Sequence, residues 1–268
     1  MTVTTKLLPS LRRTAMMKLR RTVGALLIHG SIGELAARLL GNVIPHRGLK
    51  VDVSSGLVSS ATKAALLLRA YESGEIRFMQ KYLPRNCDVV ELGGSIGVMS
   101  CLIRRRIDKD RRLLVVEADP RLAEILERNL RMNDCDSGTI VETAAIADEG
   151  RNSVSFAIGA RSDSGRLASG AGQGRTTIEV PAMSLGALLD RHDYGRFCMV
   201  SDIEGAEWGL WRNQREALLR ADWIILETHD NPRFGAYSQL IAEMSDSGPF
   251  ELIDRYGPVV VLRNRTVA

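Results

Sequence analysis

Aromatic residues, cysteines, histidines and long apolar runs are all scarce in this sequence, and each shortage closes off a class of function. Aromatics make up 5% of the 268 residues, and nowhere do basic and aromatic side chains interleave, so no stacking surface for nucleic acid is indicated. Cys87, Cys101, Cys135 and Cys198 form no Cys-x-x-Cys pair and have no histidine at zinc spacing. They read as reduced thiols of a cytoplasmic protein rather than as a metal knuckle or redox pair. No segment supplies the ~20 uninterrupted apolar residues of a membrane span. The nearest, 23–40, is broken by His29, Glu34 and Arg38.

The composition that remains is that of a globular protein. Apolar residues are 45% of the chain and the formal charge is +4, enough apolar material for one large α/β domain with an extension. The chain divides into a basic helical N-terminal extension (1–48), a lead-in segment (49–86) and an α/β core (87–268). Within the extension, KLLPSLRRTAMMKLRR at 6–21 carries Lys6, Arg12, Arg13, Lys18, Arg20 and Arg21 and no acid. One reading is a solvated helix packed on its own domain or a sister subunit; another is peripheral contact of 1–48 with an anionic membrane surface. Across 60–84, apolar residues at helical spacing, punctuated by Gly74 and Pro84, predict two helices.

From Cys87 the pattern alternates. CDVVEL, RLLVVEA, TIVETAAI, RFCMVSDI and DWIILETH read as strands, with helices between them over IGVMSCLIRRRI, PRLAEILERNLRMND, SLGALLD and EWGLWRNQREALLR. Such alternation predicts a mostly parallel sheet covered on both faces. FELIDRY and VVVLRNR, separated by Gly257-Pro258, predict a terminal antiparallel hairpin. The Gly- and Ser-rich segment 159–174 stands outside this pattern as a loop or flap.

The first strand runs into ELGGSIG: Glu91, then Gly93, Gly94, Ser95 and Gly97. A dinucleotide fold prefers G-x-G-x-x-G facing a pyrophosphate. Here that spacing fails and an acid precedes the glycines. A carboxylate repels a pyrophosphate but attracts an ammonium, so the ligand implied is a nucleoside joined to an amino acid, the composition of S-adenosylmethionine. Glu117, at the end of the second strand, is placed to accept the ribose hydroxyls, and Ala144 in the apolar run 143–146 to flank the adenine. A nicotinamide-dependent oxidoreductase shares the acid at Glu117 but lacks the glycine spacing.

VVELGGSIGVMS, VVEADPRLAEILERNLRMND, ETAAIAD and above all SDIEGAEWGLW followed by IILETH resemble the FkbM family of S-adenosylmethionine-dependent methyltransferases. The resemblance covers roughly 87–262, and the box Asp202–Glu207 is its most specific part. It implies a class I methyltransferase (Rossmann-like) fold: a seven-stranded, mostly parallel sheet with helices on both faces and its last strand antiparallel. It also implies a hydroxyl acceptor on a sugar, glycan precursor or secondary metabolite.

Methyl transfer needs an acceptor oxygen aligned and relieved of its proton. Asp202, at the end of the fourth strand, faces the cofactor pocket and joins the cofactor-binding set Glu91, Gly93, Gly94, Ser95, Gly97, Glu117 and Ala144. Glu204 and Glu207 read partly as helix-terminus acids. His229, in ETHD after the fifth strand, is the favoured base, with a pKa suited to accepting a proton near neutrality. His29, His46 and His192 fall in the extension, a turn and a helix end, away from any strand-end acid. As an alternative to a metal-free site, Asp202, Glu204, Glu227 and His229 form a set of hard ligands for one divalent cation. Arg161, Arg166 and Arg175 hint at an anionic acceptor. A protein of another class, a membrane-surface or assembly component using this fold only to bind ligand, is the alternative function.

Overall fold

The computed structural model describes residues 31–148, 150–157, 166–167 and 177–266. The basic stretch 6–21 and most of 159–174, including Arg161, lie outside them, as does Arg175. Among the described residues no helix is long and apolar enough to cross a membrane.

Helix α1 (Ser31–Leu39) leads to a hairpin of β1 (Val43–His46) and β2 (Leu49–Asp52), followed by α2 (Ser60–Leu67) and α3 (Ser73–Tyr82). The hairpin corrects the reading of 1–48 as helical throughout. Arg47 and Gly48 turn with φ of 47° and 83°, as a two-residue hairpin connection requires. His46 is therefore a strand residue, fully buried, with Nδ1 2.8 Å from the Leu66 carbonyl oxygen. Two lead-in helices do form, but the break between them falls at 68–72, where Arg69 and Glu72 take positive φ. Gly74 lies inside α3.

The chain continues through β3 (Val89–Leu92), α4 (Val98–Arg106), β4 (Leu113–Glu117), α5 (Pro120–Met132) and β5 (Thr139–Thr143). Next come β6 (Ala145–Ile146), β7 (Ser153–Ala157), β8 (Arg166–Leu167) and β9 (Thr177–Met183), which form a separate four-stranded sheet. The single strand expected over 139–146 is thus two. Past Ala144, whose N–H still reaches the Glu117 carbonyl at 3.1 Å, Ala145 and Ile146 pair with Ala182 and Met183. The remaining elements are α6 (Leu185–Arg191), β10 (Phe197–Ser201), α7 (Glu207–Asn213), α8 (Arg215–Leu218), β11 (Ala221–Glu227), α9 (Tyr237–Ser245), β12 (Phe250–Tyr256) and β13 (Val259–Asn264). One long helix was expected where α7 and α8 stand. They part at Gln214, whose amide is engaged elsewhere, donating to the Ala147 carbonyl at 3.0 Å and accepting from the Leu185 N–H.

The main sheet has the order β12-β13-β11-β10-β3-β4-β5. β3, β4, β5, β10 and β11 are parallel, and β13 runs antiparallel to both β11 and β12. This is the class I methyltransferase sheet order. Because side chains alternate along a strand, each apolar run feeds two cores. Val89, Val115, Val200 and Ile225 pack with Met79, Ile103 and Leu126 on one face, and Val90, Leu114, Met199 and Ile224 with Leu188, Trp208 and Leu240 on the other. Glu91 pairs in register with Val115 and Val200, so its carboxylate belongs to the first face.

Two buried asparagines, Asn129 in α5 and Asn133 at its C-cap, tie the lead-in to this sheet. Asn129 accepts the Asp52 N–H at 2.7 Å and donates to the Ile96 carbonyl at 2.8 Å. Asn133 repeats the clamp on Lys50, accepting its N–H at 2.9 Å and donating to its carbonyl at 2.7 Å. The amide side chains act as a missing strand edge for β2 and brace the segment that follows β3. Truncating Asn129 strands a backbone donor and acceptor in the core, each costing ~1–3 kcal/mol. Asn129→Ala should therefore lower stability by about 2–4 kcal/mol in urea unfolding, whereas Arg131→Ala, which breaks an exposed pair with Glu127, should change it by less than about 1 kcal/mol.

Candidate functional site

The site is built at the carboxyl edge of the parallel strands, where open α/β sheets bind ligands. At the end of β3 the chain cannot carry a side chain: Gly93 has φ 88°, and a Cβ there would lie 1.9 Å from the Asp202 carbonyl oxygen. On Gly94 a Cβ would meet Leu126 and Val115 at 2.4 Å. The turn is held from below by the Gly93 N–H on the Val116 carbonyl, 2.8 Å, and laterally by the Asp202 N–H on the Leu92 carbonyl, 2.9 Å.

Glu117, ending β4, spans the turn. One carboxylate oxygen accepts the Ser95 N–H at 2.7 Å and the other the Asp119 N–H at 2.8 Å. Burial lifts its pKa to about 7, against the pull of those backbone donors. Glu91 is 2% exposed and its Oε2 has no hydrogen-bond partner. Burial pushes it to about 8, the Ser100 hydroxyl opposing and the charge of Glu117 adding to the shift. Ala144 is buried, its N–H on the Glu117 carbonyl.

A second group of residues follows β10 and β11. His229 Nδ1 is 2.9 Å from Glu207 Oε1, which also accepts the Gly205 N–H at 3.1 Å. His229 Nε2 lies 3.8 Å from both Asp202 Oδ1 and Glu204 Oε2. The loop is tight: Glu204 and Gly205 both have positive φ, 50° and 97°, and Asn231 Nδ2 donates to the Gly205 carbonyl at 2.9 Å. Glu207 is 2% exposed; its Oε2, like Asp202 Oδ1, has no hydrogen-bond partner.

The electrostatics of this group correct two expectations. Burial works against the charge on His229, but Glu207, then Asp202 and Glu204, outweigh it and raise the pKa to about 9. At neutral pH the ring is an imidazolium, not a group poised to gain a proton. Asp202 is lifted to about 7 by burial and by Glu204, with His229 opposing. Glu227 is held protonated by burial and by a hydrogen bond with Glu75. Asp202, Glu207 and His229, not Glu227, offer ligand atoms within 4.8 Å of one another. Glu207, which reads from sequence partly as a capping acid, is thus a central member of the cluster.

The lead-in segment supplies residues that sequence reasoning missed. Tyr71 Oη lies 3.5 Å from Ser95 Oγ, and Glu72, in the left-handed region with φ 45°, has a buried Oε2 without a partner. Burial raises the pKa values of both well above their ordinary ranges. The signal was the acid pair in AYESGE, placed at a break between two helices that bury Leu66 and Ile76. Of the other histidines, His192 caps the end of α6 with Nε2 2.7 Å from Glu142 Oε1 in β5, while His29 lies outside the described residues. The four cysteines are free.

The similar solved structures are remote. An O-methyltransferase from Bacillus cereus in complex with SAH is 14% identical over 72% of this chain and 81% of that one, with a TM-score of 0.45. A ribosomal protein L11 methylase from Lactobacillus delbrueckii subsp. bulgaricus is 12% identical over 73% and 80%, at 0.39. The Methanococcus jannaschii fibrillarin pre-rRNA processing protein is 11% identical over 68% and 67%, at 0.40. No curated protein matches the sequence. The methyltransferase FkbM domain matches residues 91–251, a span that opens on Glu91, contains the glycine turn, Glu117 and the whole acid cluster, and closes in β12. With more than half of its length so matched, the chain belongs to the FkbM family of S-adenosylmethionine-dependent methyltransferases.

Proposed function

We propose that the protein methylates a hydroxyl on a sugar, glycan precursor or secondary metabolite. The observation that carries this reading is the contact of Gly93 with the Asp202 carbonyl. It sets a cluster of two carboxylates and an imidazole directly against the turn assigned to the cofactor. An acceptor hydroxyl must give up a proton as it is alkylated, and positioned acid–base groups typically contribute about 10²–10⁴-fold to such a step.

The residues present fit S-adenosylmethionine. Gly93 and Gly94 let the turn pack tightly against the Asp202 carbonyl and against Leu126 and Val115, Glu117 stands at the end of β4 for a ribose, and Glu91 keeps one buried carboxylate oxygen unpaired, as an ammonium partner would want. When bound, the cofactor supplies a methyl group already activated on a sulfonium. The chain's own work is positional. Glu117, fixed at both oxygens by backbone donors, orients the nucleoside. Asp202, across Gly93, stands to receive the acceptor's proton, the charged His229 ring lies beside it, and Glu207 holds the imidazole in place.

The direct test is to incubate the full chain with S-adenosylmethionine and a panel of hydroxylated and aminated acceptors, scoring the mass gain of one methylene. Methylation confined to amines would overturn the oxygen assignment. Glu117→Ala should weaken cofactor binding in calorimetry by at least about tenfold. His229→Ala should leave that affinity nearly unchanged while slowing turnover by about 10²-fold or more. Equal loss of affinity in both variants would contradict the division of roles.

Glu91 supplies a pH-dependent test. The folded chain keeps this proton until about pH 8, whereas the unfolded chain releases it near the ordinary carboxylate value. The folded state therefore loses stability as pH rises between those limits. Glu91→Gln removes that loss. At pH 8 the ligand-free variant should melt about 2–5 °C above the parent, and near pH 4 the two should coincide, while cofactor affinity falls. A melting temperature at pH 8 equal to or below the parent's would show that Glu91 is not held protonated.

A further inference from the structure

Glu207 has a feature that its part in positioning His229 does not explain. Both donors that reach it, the Gly205 N–H and the imidazole, fall on Oε1. Oε2 is left bare in a side chain only 1% exposed. Burying a carboxylate oxygen without a partner is costly, and the tight loop 204–205 holds it there. Asp202 Oδ1 is likewise enclosed and without a hydrogen bond, and His229 Nε2 stands 3.8 Å from it. Separations of this size between donor atoms are those of ligands sharing one metal ion with bonds of about 2.0–2.2 Å.

We propose that Asp202, Glu207 and His229 bind one divalent cation of the Mn²⁺ class, at the acceptor side of the glycine turn. Two carboxylates with one imidazole suit a borderline-hard first-row ion better than Ca²⁺, which takes oxygen ligands alone, or Zn²⁺ in a sulfur-rich site. Asp202 is half-buried and Glu204 exposed, so an acceptor hydroxyl or water can complete the shell. Coordination lowers the pKa of such an oxygen. This catalytic part of the proposal rests on the methyl-transfer reading, but the binding part does not. The ligand set differs from the one legible in sequence: Glu207 stands in place of Glu204 and Glu227, and Glu227 is engaged with Glu75.

The test is a titration of the full chain with Mn²⁺ alone, without cofactor or acceptor, following loss of the free-ion electron paramagnetic resonance signal. One ion per chain should bind. Glu207→Gln, which keeps an oxygen for the Gly205 N–H, and Asp202→Asn should each weaken binding by at least about tenfold. Glu142→Gln, at the separate His192 pair, should leave it unchanged. Circular dichroism of each variant checks that the fold persists; should one variant fail to fold, the other decides. No binding to the folded parent at millimolar Mn²⁺, or an unchanged affinity in Glu207→Gln, overturns the proposal and leaves methyl transfer untouched. Intact Mn²⁺ binding without methylation of any acceptor sinks the transfer reading alone.

Discussion

The site depends on the carbonyl of Asp202 occupying the space where a side chain on residue 93 would stand. β3 and β10 are parallel neighbours, and their pairing continues one step past the strands, through the Asp202 N–H on the Leu92 carbonyl. That extra bond pulls the two chain ends together at the sheet edge. Any side chain at 93 would force them apart, because the obstacle is backbone and has nowhere to move. Glycine here is therefore a condition of closeness, and closeness places the turn that begins α4 against the acids that precede α7.

The second constraint is charge. Glu72, Glu91, Glu117, Asp202, Glu204, Glu207 and Glu227 crowd the same edge, and among the described residues the cation set among them is His229. The edge meets this in two ways. Some carboxyls keep their protons, as Glu227 does against Glu75. Others, Asp202 and Glu207, retain oxygens that no donor of the protein reaches, a costly state unless a proton, cation or other donor meets them. A sheet edge so arranged is complementary to positively charged ligands, which matches a sulfonium cofactor bearing an ammonium group.

Much of this was readable in advance, for physical reasons. A strand buried on both faces must be apolar at every position, so the runs at 89–92, 113–117 and 197–201 stood out, and an acid ending such a run, as Glu117 does, was conspicuous. Asp202 and His229 followed from the same logic. Residues whose role arises from loop geometry were less legible. Glu207 sits at a helix start, where acids are common, and only the fold of 204–205 turns it toward His229. Tyr71 and Glu72 belong to a break between helices that looks in sequence like any solvated turn. The pairing of β6 with β9 was hidden because a two-residue strand has no periodicity to detect.

From the sequence alone came the alternation of strands and helices, the terminal hairpin at Gly257-Pro258, the acid-and-glycine turn and the box at 202–207, since each is a local pattern imposed by burial or by backbone freedom. Tertiary structure alone decided which acids face one another, which oxygens are left without donors, and that His229 carries a proton at neutral pH. Those properties depend on distances between residues far apart in the chain and on the exclusion of water around them, and neither is a function of local order.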